Sequence, residues 1–199
     1  MISFSPPKEP FKAYLFDCDG TLADTMRLHY DAWTRAVKEH GGDFDYSPEL
    51  FYSMAGMTVE DTIARLNETF GTQLDHRAVG ATKNALYAKM LDQVEPIAPV
   101  VSFCEDCIAS GAAVAVVSGS TREDVDATLE AIGLGDKISL KICQGDTRRG
   151  KPDPMPFKHA ADLLGVAYPD CLVLEDSEHS YQSAQGIGMS AILIPNTML

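Results

Sequence analysis

Short apolar runs alternate along most of the chain with segments in which apolar residues recur at helical spacing. Four such runs cover residues 13–16, 112–117, 171–174 and 191–194, and a weaker one covers residues 138–143. Continuous apolar runs of this length, bounded by turn residues, are typical of buried strands in a parallel sheet. Strands and helices in alternation predict an α/β protein with a Rossmann-like, mostly parallel sheet and helices on both faces.

Residues 24–92 interrupt this alternation, because the patterns in this segment are helical only. Helix caps are predicted near its start, at Asp24 and Thr25, and its last helix is predicted over residues 78–91. An insertion directly after the first strand lies over the carboxyl ends of the strands, where ligands bind in open α/β sheets. We therefore predict an all-helical cap domain, residues 24–92, inserted into a core domain made of residues 1–23 and 93–199.

Composition and charge narrow the range of functions. The 199 residues carry a formal net charge of -13, which disfavours binding to nucleic acid or to an anionic membrane surface. No apolar run reaches the length of a membrane helix, and residues 1–12 are polar and rich in proline, unlike a signal peptide. The five cysteines are an odd number, which favours reduced thiols. We expect a cytoplasmic protein that binds neither nucleic acid nor membrane.

Two carboxylates follow the first apolar run. Asp17 and Asp19 stand where the predicted strand ends, and a Gly-Thr turn comes directly after them. Two anions this close repel each other and are costly to desolvate unless a cation lies between them. A divalent cation with oxygen ligands removes this cost, and Mg²⁺ is the usual one where phosphate is involved. The alternative is a loop with two solvated aspartates, which is common for an isolated Asp-x-Asp.

Further polar residues follow the other predicted strands. Ser118 and Gly119 come after the second strand, Lys151 lies in the loop after the third, and Glu175 and Asp176 end the fourth. The carboxyl ends of parallel strands lie along one edge of a sheet, so these groups are expected to meet the two aspartates there. Each of them alone is more often a turn residue, a solvated lysine or a helix cap. Together, at equivalent strand ends, they favour a functional site.

These groups suit phosphoryl transfer through a covalent intermediate. Asp17 is the expected nucleophile on phosphorus, and Asp19 the expected general acid and base for the leaving oxygen and for water. Ser118 and Lys151 are expected to hold phosphoryl oxygens, and Lys151 also to orient Asp17. The expected substrate is a small phosphorylated metabolite, and Gly119 is a further candidate for binding it. The expected Mg²⁺ ligands are Asp17, Asp19 through its carbonyl oxygen, Glu175 and Asp176.

The same residues resemble the four motifs of the haloacid dehalogenase superfamily. The Asp-x-Asp-Gly-Thr segment is residues 17–21, the hydroxyl after the second strand is Ser118, the lysine is Lys151 in a Gly-Lys-Pro-Asp-Pro segment, and the acidic pair is Glu175 and Asp176. The resemblance spans nearly the whole chain and includes the inserted helical cap. Within that superfamily, the second carboxylate of the first motif is typical of phosphatases and phosphomutases. The resemblance therefore implies an enzyme that acts on phosphoric monoesters.

The predicted cap is similar to that of the beta-phosphoglucomutase branch of this superfamily. His29 and Trp33 stand at that branch's spacing from the first motif, and Lys83 with Asn84 resembles the segment that carries its cap lysine. By this resemblance, His29 and Lys83 meet Asp19 and the substrate when the cap closes. The alternatives are a packed helix residue beside Trp33 for His29, and a solvated helix lysine for Lys83.

One position departs from the mutase pattern. Val59 stands where the mutase has an arginine that grips the distal phosphate of a bisphosphate. Loss of such a bidentate clamp weakens a mutase more than a phosphatase, and the chain also resembles fructose-1-phosphate phosphatases of this branch. The first hypothesis is a Mg²⁺-dependent sugar phosphatase, the second a phosphoglucomutase-like isomerase, and the third a non-catalytic protein that keeps the fold for binding. A small enzyme with its own lid needs no partner to complete its site, so a monomer is expected.

Overall fold

In the computed structural model, which describes residues 4–195, five strands form one parallel sheet. The strands are β1 (Ala13–Phe16), β2 (Ala113–Val117), β3 (Leu140–Ile142), β4 (Cys171–Glu175) and β5 (Ser190–Leu193). Their order across the sheet is β3-β2-β1-β4-β5, and the neighbouring pairs are all parallel. β1 therefore lies between β2 and β4, and the carboxyl ends of these three strands meet on one edge of the sheet.

Eight α-helices accompany these strands in the described part of the chain. The segment predicted as a cap contains α1 (Met26–Glu39), α2 (Pro48–Tyr52), α3 (Val59–Phe70) and α4 (His76–Tyr87). The helices that alternate with the later strands are α5 (Ala98–Ala109), α6 (Arg122–Ala131), α7 (Met155–Leu164) and α8 (Glu178–Gly186). Two 3-10 segments, Ala88–Gln93 and Tyr168–Asp170, follow α4 and α7.

Helices cover the sheet on both faces. On β1, Tyr14 and Phe16 belong to one apolar cluster, whereas Ala13 and Leu15 belong to another. Residues of α5 and α6 complete the first cluster, and residues of α7 and α8 complete the second. Successive residues of a strand point to opposite faces, so a continuous apolar run is the pattern that a doubly covered strand requires. The predicted α/β class is confirmed.

The described residues between 24 and 93 form helices and turns and add no strand to the sheet, as predicted. α1 packs against α4, and apolar residues of both join the cluster that contains α5 and α6. The chain enters and leaves this segment side by side. The Asp24 N–H donates to the Glu95 carbonyl at 2.8 Å, and the Ile97 N–H donates to the Leu22 carbonyl at 2.8 Å. Two paired backbone connections thus attach the helices to the sheet.

Two local details differ from the sequence prediction. The helix predicted over residues 78–91 is α-helical only to Tyr87, and the 3-10 segment Ala88–Gln93 completes it. Thr25 occupies the N-cap position of α1, but its side chain makes no capping hydrogen bond. The Thr25 hydroxyl instead donates to Asp19 Oδ1 at 2.8 Å. Of the two predicted capping residues, Thr25 therefore stands at the N-cap position but does not cap with its side chain, because Asp19 accepts the hydrogen bond of its hydroxyl.

None of the described helices combines the length and the apolar character needed to cross a lipid bilayer. The five cysteines are buried and form no disulfide. Cys104 and Cys107, one turn apart on α5, both lie in the apolar cluster beside the sheet. Their spacing therefore reflects helix packing.

Candidate active site

The groups that follow the strands meet at the carboxyl edge of the sheet. Asp17 extends the ladder of β1, because its N–H donates to the Leu174 carbonyl of β4 at 2.9 Å. Asp17, Ser118, Lys151 and Glu175 are each no more than 5 % exposed. The structure thus brings these predicted site residues together in one buried position, as the sheet order requires.

The ammonium of Lys151 joins two of the carboxylates. It donates to Asp17 Oδ1 at 2.5 Å, to Glu175 Oε1 at 2.5 Å and to the Val117 carbonyl at 3.1 Å. These hydrogen bonds use every N–H of an ammonium group, so Lys151 in this state orients Asp17 and has no donor left for a phosphoryl oxygen. Burial acts to lower the pKa of Lys151, but the charges of Asp17 and Glu175 outweigh it and raise that pKa above its usual value.

Asp17, Glu175 and Asp176 form an acidic cluster whose ligand atoms lie within 4.8 Å of one another. Among the described residues, Oδ2 of Asp17 and Oδ2 of Asp176 are buried and have no hydrogen-bond partner. A buried carboxylate oxygen without a donor is costly, and it is the ligand that a hard divalent cation prefers. A Cβ at Gly20 would lie 2.2 Å from Asp176 Oδ2, so only glycine allows this approach. The donor set fits a Mg²⁺ ion.

This acidic cluster holds more negative than positive charge. Burial and the charge of Glu175 raise the pKa of Asp17 to about 8, although Lys151 acts to lower it. Burial and the charges of Asp17 and Glu175 raise the pKa of Asp176 well above its usual value. One ammonium cannot neutralise three carboxylates, so their mutual repulsion favours protonation of the cluster. A divalent cation would replace those protons.

Asp19 turns its side chain away from the acidic cluster. Its Oδ1 accepts from the Thr25 hydroxyl at 2.8 Å and lies 2.8 Å from His29 Nε2, and its Oδ2 accepts from the Ser120 hydroxyl at 2.7 Å. Burial alone would raise the pKa of Asp19, but the charge of His29 and these hydrogen bonds outweigh it and lower that pKa. The expected meeting of His29 and Asp19 is present. Ser120 was not predicted, although its place in the Ser-Gly-Ser turn after β2 was a signal.

The loop between α2 and α3, residues 53–58, is named the cap loop here. A Cβ at Gly119 would lie 2.3 Å from the Gly56 carbonyl oxygen, so the cap loop touches the turn after β2. On the other side, the Ser177 hydroxyl donates to the Ala55 carbonyl at 3.2 Å. The cap loop therefore rests on the turns that follow β2 and β4. Gly119, predicted to bind substrate, lies at this seam, where the absence of a side chain permits the contact.

A cavity of about 70 Å³ lies between the carboxyl edge of the sheet and the helices of the cap segment. His29 and Lys83 both line it. His29 stacks on Tyr87 with ring centroids 4.1 Å apart. Lys83 forms no hydrogen bond or ion pair with Asp19, and its ammonium instead donates to Asp124 Oδ2 at 3.2 Å. Asp124 was not singled out in the sequence, where it has the local signature of an acidic residue in the first turn of a helix.

Known proteins resemble this chain over nearly its whole length. Residues 14–194 match the model of the family described as haloacid dehalogenase-like hydrolase. The chain is 28% identical over 186 residues to the fructose-1-phosphate phosphatase YqaB of Escherichia coli (strain K12), covering 92% of this chain and 96% of that protein. It is 23% identical over 188 residues to the beta-phosphoglucomutase of Bacillus subtilis (strain 168), covering 91% of this chain and 82% of that protein.

Among solved structures, a hydrolase from Pseudomonas syringae shares the fold. Its TM-score is 0.83 at 20% identity, over 92% of this chain and 84% of that one. The family match spans the carboxylates after β1, the hydroxyl after β2, the lysine and the acidic pair that meet at the sheet edge. The chain therefore belongs to the haloacid dehalogenase-like hydrolase family.

Proposed function

We propose that the chain is a Mg²⁺-dependent phosphatase that hydrolyses a small sugar phosphate, such as fructose 1-phosphate, through a phosphorylated Asp17. The observation that carries this proposal is the Asp17 carboxylate. One of its oxygens is held by Lys151, and the other is buried without a partner beside Asp176. The similarity to a fructose-1-phosphate phosphatase, over 92% of this chain, supports the substrate class.

The residues of the chain account for both half-reactions. An Asp17 oxygen attacks phosphorus, the bond between phosphorus and the sugar oxygen breaks, and Asp19 gives that oxygen a proton. Asp19 then takes a proton from water, the water oxygen attacks phosphorus, and inorganic phosphate leaves the Asp17 carboxylate. The first half-reaction needs a proton on Asp19, which His29 Nε2 would supply across 2.8 Å.

Different sets of residues would hold the metal ion and the phosphoryl group. The residues that would bind Mg²⁺ are Asp17, Glu175, Asp176 and Asp19 through its carbonyl oxygen. Mg²⁺ bound there would offset the repulsion between the nucleophile and an anionic phosphoryl group. Ser118 and Gly119 would hold phosphoryl oxygens, while Lys151 keeps Asp17 oriented and releases one hydrogen bond when the phosphoryl group arrives.

The helical segment, residues 24–92, would act as a cap domain that opens and closes over the core. Its two backbone connections run side by side, which allows the helices to move as a unit about one hinge. In the closed position, the cap loop touches Gly119 and His29 touches Asp19. Closure would exclude water from the reacting groups and would bring His29 and Lys83 to the substrate.

A phosphosugar mutase is the second candidate, and the similarity to a beta-phosphoglucomutase supports it. A mutase must hold a bisphosphate at both ends. Val59 lines the cavity at the position where the mutase branch has its arginine, and it packs so closely on α4 that a Cβ at Gly80 would lie 2.9 Å from Val59 Cγ1. A valine offers no hydrogen bond to a distal phosphate, which favours transfer to water.

We also propose that the protein is a cytoplasmic monomer that acts on a soluble metabolite. The side chains that form the site come from a single chain, so no partner is needed to complete it. The net charge of -13 disfavours nucleic acid and anionic membranes as partners. Gel filtration with light scattering checks the monomeric state, and a stable dimer would contradict it.

Release of phosphate from a panel of sugar phosphates, with Mg²⁺ and with EDTA, tests the proposed activity. The panel contains fructose 1-phosphate, 6-phosphogluconate and beta-glucose 1-phosphate, and formation of glucose 6-phosphate is followed in parallel. We expect Mg²⁺-dependent release from one or a few of these compounds. Glucose 6-phosphate formed without free phosphate would make the protein a mutase, and the absence of any turnover would contradict both candidates.

A further inference from the structure

A buried ion pair joins the cap segment to the core beside the cavity. The Lys83 ammonium of α4 donates to Asp124 Oδ2 of α6 at 3.2 Å, and the two side chains are 5% and 10% exposed. One turn along the same two helices, the Tyr87 and Thr128 hydroxyls lie 2.7 Å apart. A buried lysine needs a counter-charge. Asp124 therefore compensates the charge of Lys83 while the cap holds this position.

Both basic side chains that line the cavity in the described part of the chain already face a carboxylate. Lys83 is paired with Asp124, and His29 Nε2 lies 2.8 Å from Asp19 Oδ1. A second anionic group on a substrate would meet an ion pair there, and the carboxylate of Asp124 would repel it. The cavity walls thus disfavour a charged distal end.

The other polar groups of the cavity suit hydroxyl groups. Asn84, Gln144 and Tyr46 line the cavity, and their Oδ1, Oε1 and hydroxyl oxygen atoms are buried without a hydrogen-bond partner among the described residues. Buried oxygens without a donor are costly, and sugar hydroxyls are donors of the right kind. Because all three side chains are neutral, they do not select for charge.

We propose that Asp124 is a specificity-determining residue. By neutralising Lys83, it restricts the enzyme to substrates whose end distant from the transferred phosphate is uncharged and hydroxylated. The substrate class is then singly phosphorylated sugars or polyols, and bisphosphates are discriminated against. This inference rests on the proposed phosphatase activity and adds the charge of the substrate's far end. Asp124 acts through Lys83, so its effect is lost when Lys83 is absent.

Exposed arginines lie outside the cavity. Arg148 and Arg149 line an adjoining open groove between α3 and the loop before α7, and Arg149 forms an ion pair with Asp153 at 3.3 Å. A distal phosphate that reached this groove would bind independently of Lys83. A preference for bisphosphates that does not respond to changes at Asp124 would therefore identify the groove as the binding site and overturn the inference.

The first test compares fructose 1-phosphate with fructose 1,6-bisphosphate, which differ only by a distal phosphate. Both are measured as substrates of the wild-type protein with Mg²⁺. Both are also measured as inhibitors of p-nitrophenyl phosphate hydrolysis, because inhibition reports binding even when the sugar itself is not turned over. We expect the monophosphate to be favoured by about tenfold. An equal or better bisphosphate overturns the inference. Absence of Mg²⁺-dependent phosphatase activity on every compound would instead overturn the proposed function.

Asp124→Asn tests the residue itself. Loss of the carboxylate leaves Lys83 as an unpaired cation, so we expect the preference to shift toward the bisphosphate by about tenfold. Adding Lys83→Gln to the same chain should remove that shift. If Asp124 had only a structural role, the effect of Asp124→Asn would not depend on Lys83. An unchanged preference in a folded Asp124→Asn protein contradicts the assignment.

Asp126→Asn is the matched control. Asp126 lies on the same helix, outside the cavity, and its side chain is 49% exposed. Its Oδ1 lies 2.6 Å from the Lys141 ammonium. We expect this variant to keep the wild-type preference, and a shift as large as that of Asp124→Asn would show that the cavity is not involved. Circular dichroism checks that each variant is folded. If Asp124→Asn does not fold, the wild-type comparison decides.

Discussion

Asp17 and Asp19 stand one residue apart, yet their surroundings have opposite effects on them. Asp17 lies among carboxylates, and burial raises its pKa to about 8 in spite of Lys151. Asp19 pairs with His29 and accepts a hydrogen bond from Ser120, and these contacts lower its pKa in spite of burial. Two carboxylates in such different environments can take different roles in one reaction. The geometry thus fits the proposed roles of Asp17 as the nucleophile and Asp19 as the acid and base.

Asp19→Asn removes the proposed proton donor to the leaving oxygen. We expect turnover of a sugar phosphate to fall roughly 10²–10⁴-fold, because the sugar alkoxide leaves poorly without a proton. With p-nitrophenyl phosphate, whose leaving group needs no proton, the pre-steady-state release of p-nitrophenol should fall much less. Asp31→Asn, an exposed carboxylate on α1, is the control and should behave as wild type. An equal loss on both substrates would contradict the acid role.

Residues whose role follows from one strand end could be predicted from the sequence, and residues whose role depends on a distant partner could not. Asp17 and Glu175 carry a local signature, because each directly follows an apolar run. Ser120 reaches Asp19 across 101 residues of sequence, and Asp124 reaches Lys83 across 41. In the sequence, both resemble ordinary residues of a turn or a first helical turn. The pairing of β1 with β2 gives Ser120 its partner, and the packing of the cap segment on the core gives Asp124 its partner.

The strands and helices could be predicted largely because each carries its own periodicity and its own stop signals. The ends of these elements were harder to predict where contacts with other elements determine them. The apolar run of residues 138–143 gives only the three-residue strand Leu140–Ile142, because β3 is an edge strand that pairs with β2 alone. α4 gives way to 3-10 geometry after Tyr87, whose hydroxyl is held by Thr128 of α6. Contacts of this kind have no local sequence signature.

Gly119→Ala tests the seam between the cap loop and the core. The added Cβ would lie 2.3 Å from the Gly56 carbonyl oxygen, so the cap loop must move. Misplacement on the scale of 1 Å can cost about 10²-fold in rate, and we expect kcat/KM to fall by about that factor while the protein stays folded. Gly186→Ala is the control, since nothing lies within 4 Å of its Cβ. Wild-type kinetics for Gly119→Ala would show that this contact is not needed.

The whole molecule is an acidic protein that we propose binds an anionic substrate. Its net charge is -13, and three carboxylates of the site form one cluster. A bound divalent cation is the largest local charge in such a site and reverses its field. The place of residues 24–92 over the carboxyl ends of the strands could be predicted, but not how closely they pack there, because that depends on contacts between segments far apart in the chain.

Mg²⁺ should raise the thermal midpoint of the protein, and more at pH 8 than at pH 6. Since the pKa of Asp17 is raised to about 8, protons compete with the ion below that pH, and Mg²⁺ affinity increases as the pH rises toward it. The stabilisation is about 2.7 kcal/mol at an ion concentration of roughly a hundred times Kd. Differential scanning fluorimetry at both pH values checks this. Equal shifts at the two pH values would contradict the assignment of Asp17 as a ligand.

In EDTA, where no metal ion is bound, the raised pKa of Asp17 should make the folded protein less stable as the pH rises. The folded protein keeps the Asp17 proton up to about pH 8, whereas the unfolded chain releases it near its ordinary pKa of about 4. The folded state therefore binds more protons between these values, and the free energy of unfolding should fall as the pH rises from about 4 to about 8. Unfolding by urea at several pH values measures this, and a rise over that window would contradict the raised pKa.

The most direct test of the phosphatase mechanism is to trap the phosphorylated enzyme. Wild-type protein is mixed with a radiolabelled substrate and Mg²⁺, quenched in acid during turnover, and digested for mass spectrometry. We expect a hydroxylamine-sensitive label on the peptide that contains Asp17, and no label or turnover in Asp17→Asn, with its fold shown intact by circular dichroism. Turnover without any label on Asp17, or full activity of Asp17→Asn, would contradict the central claim.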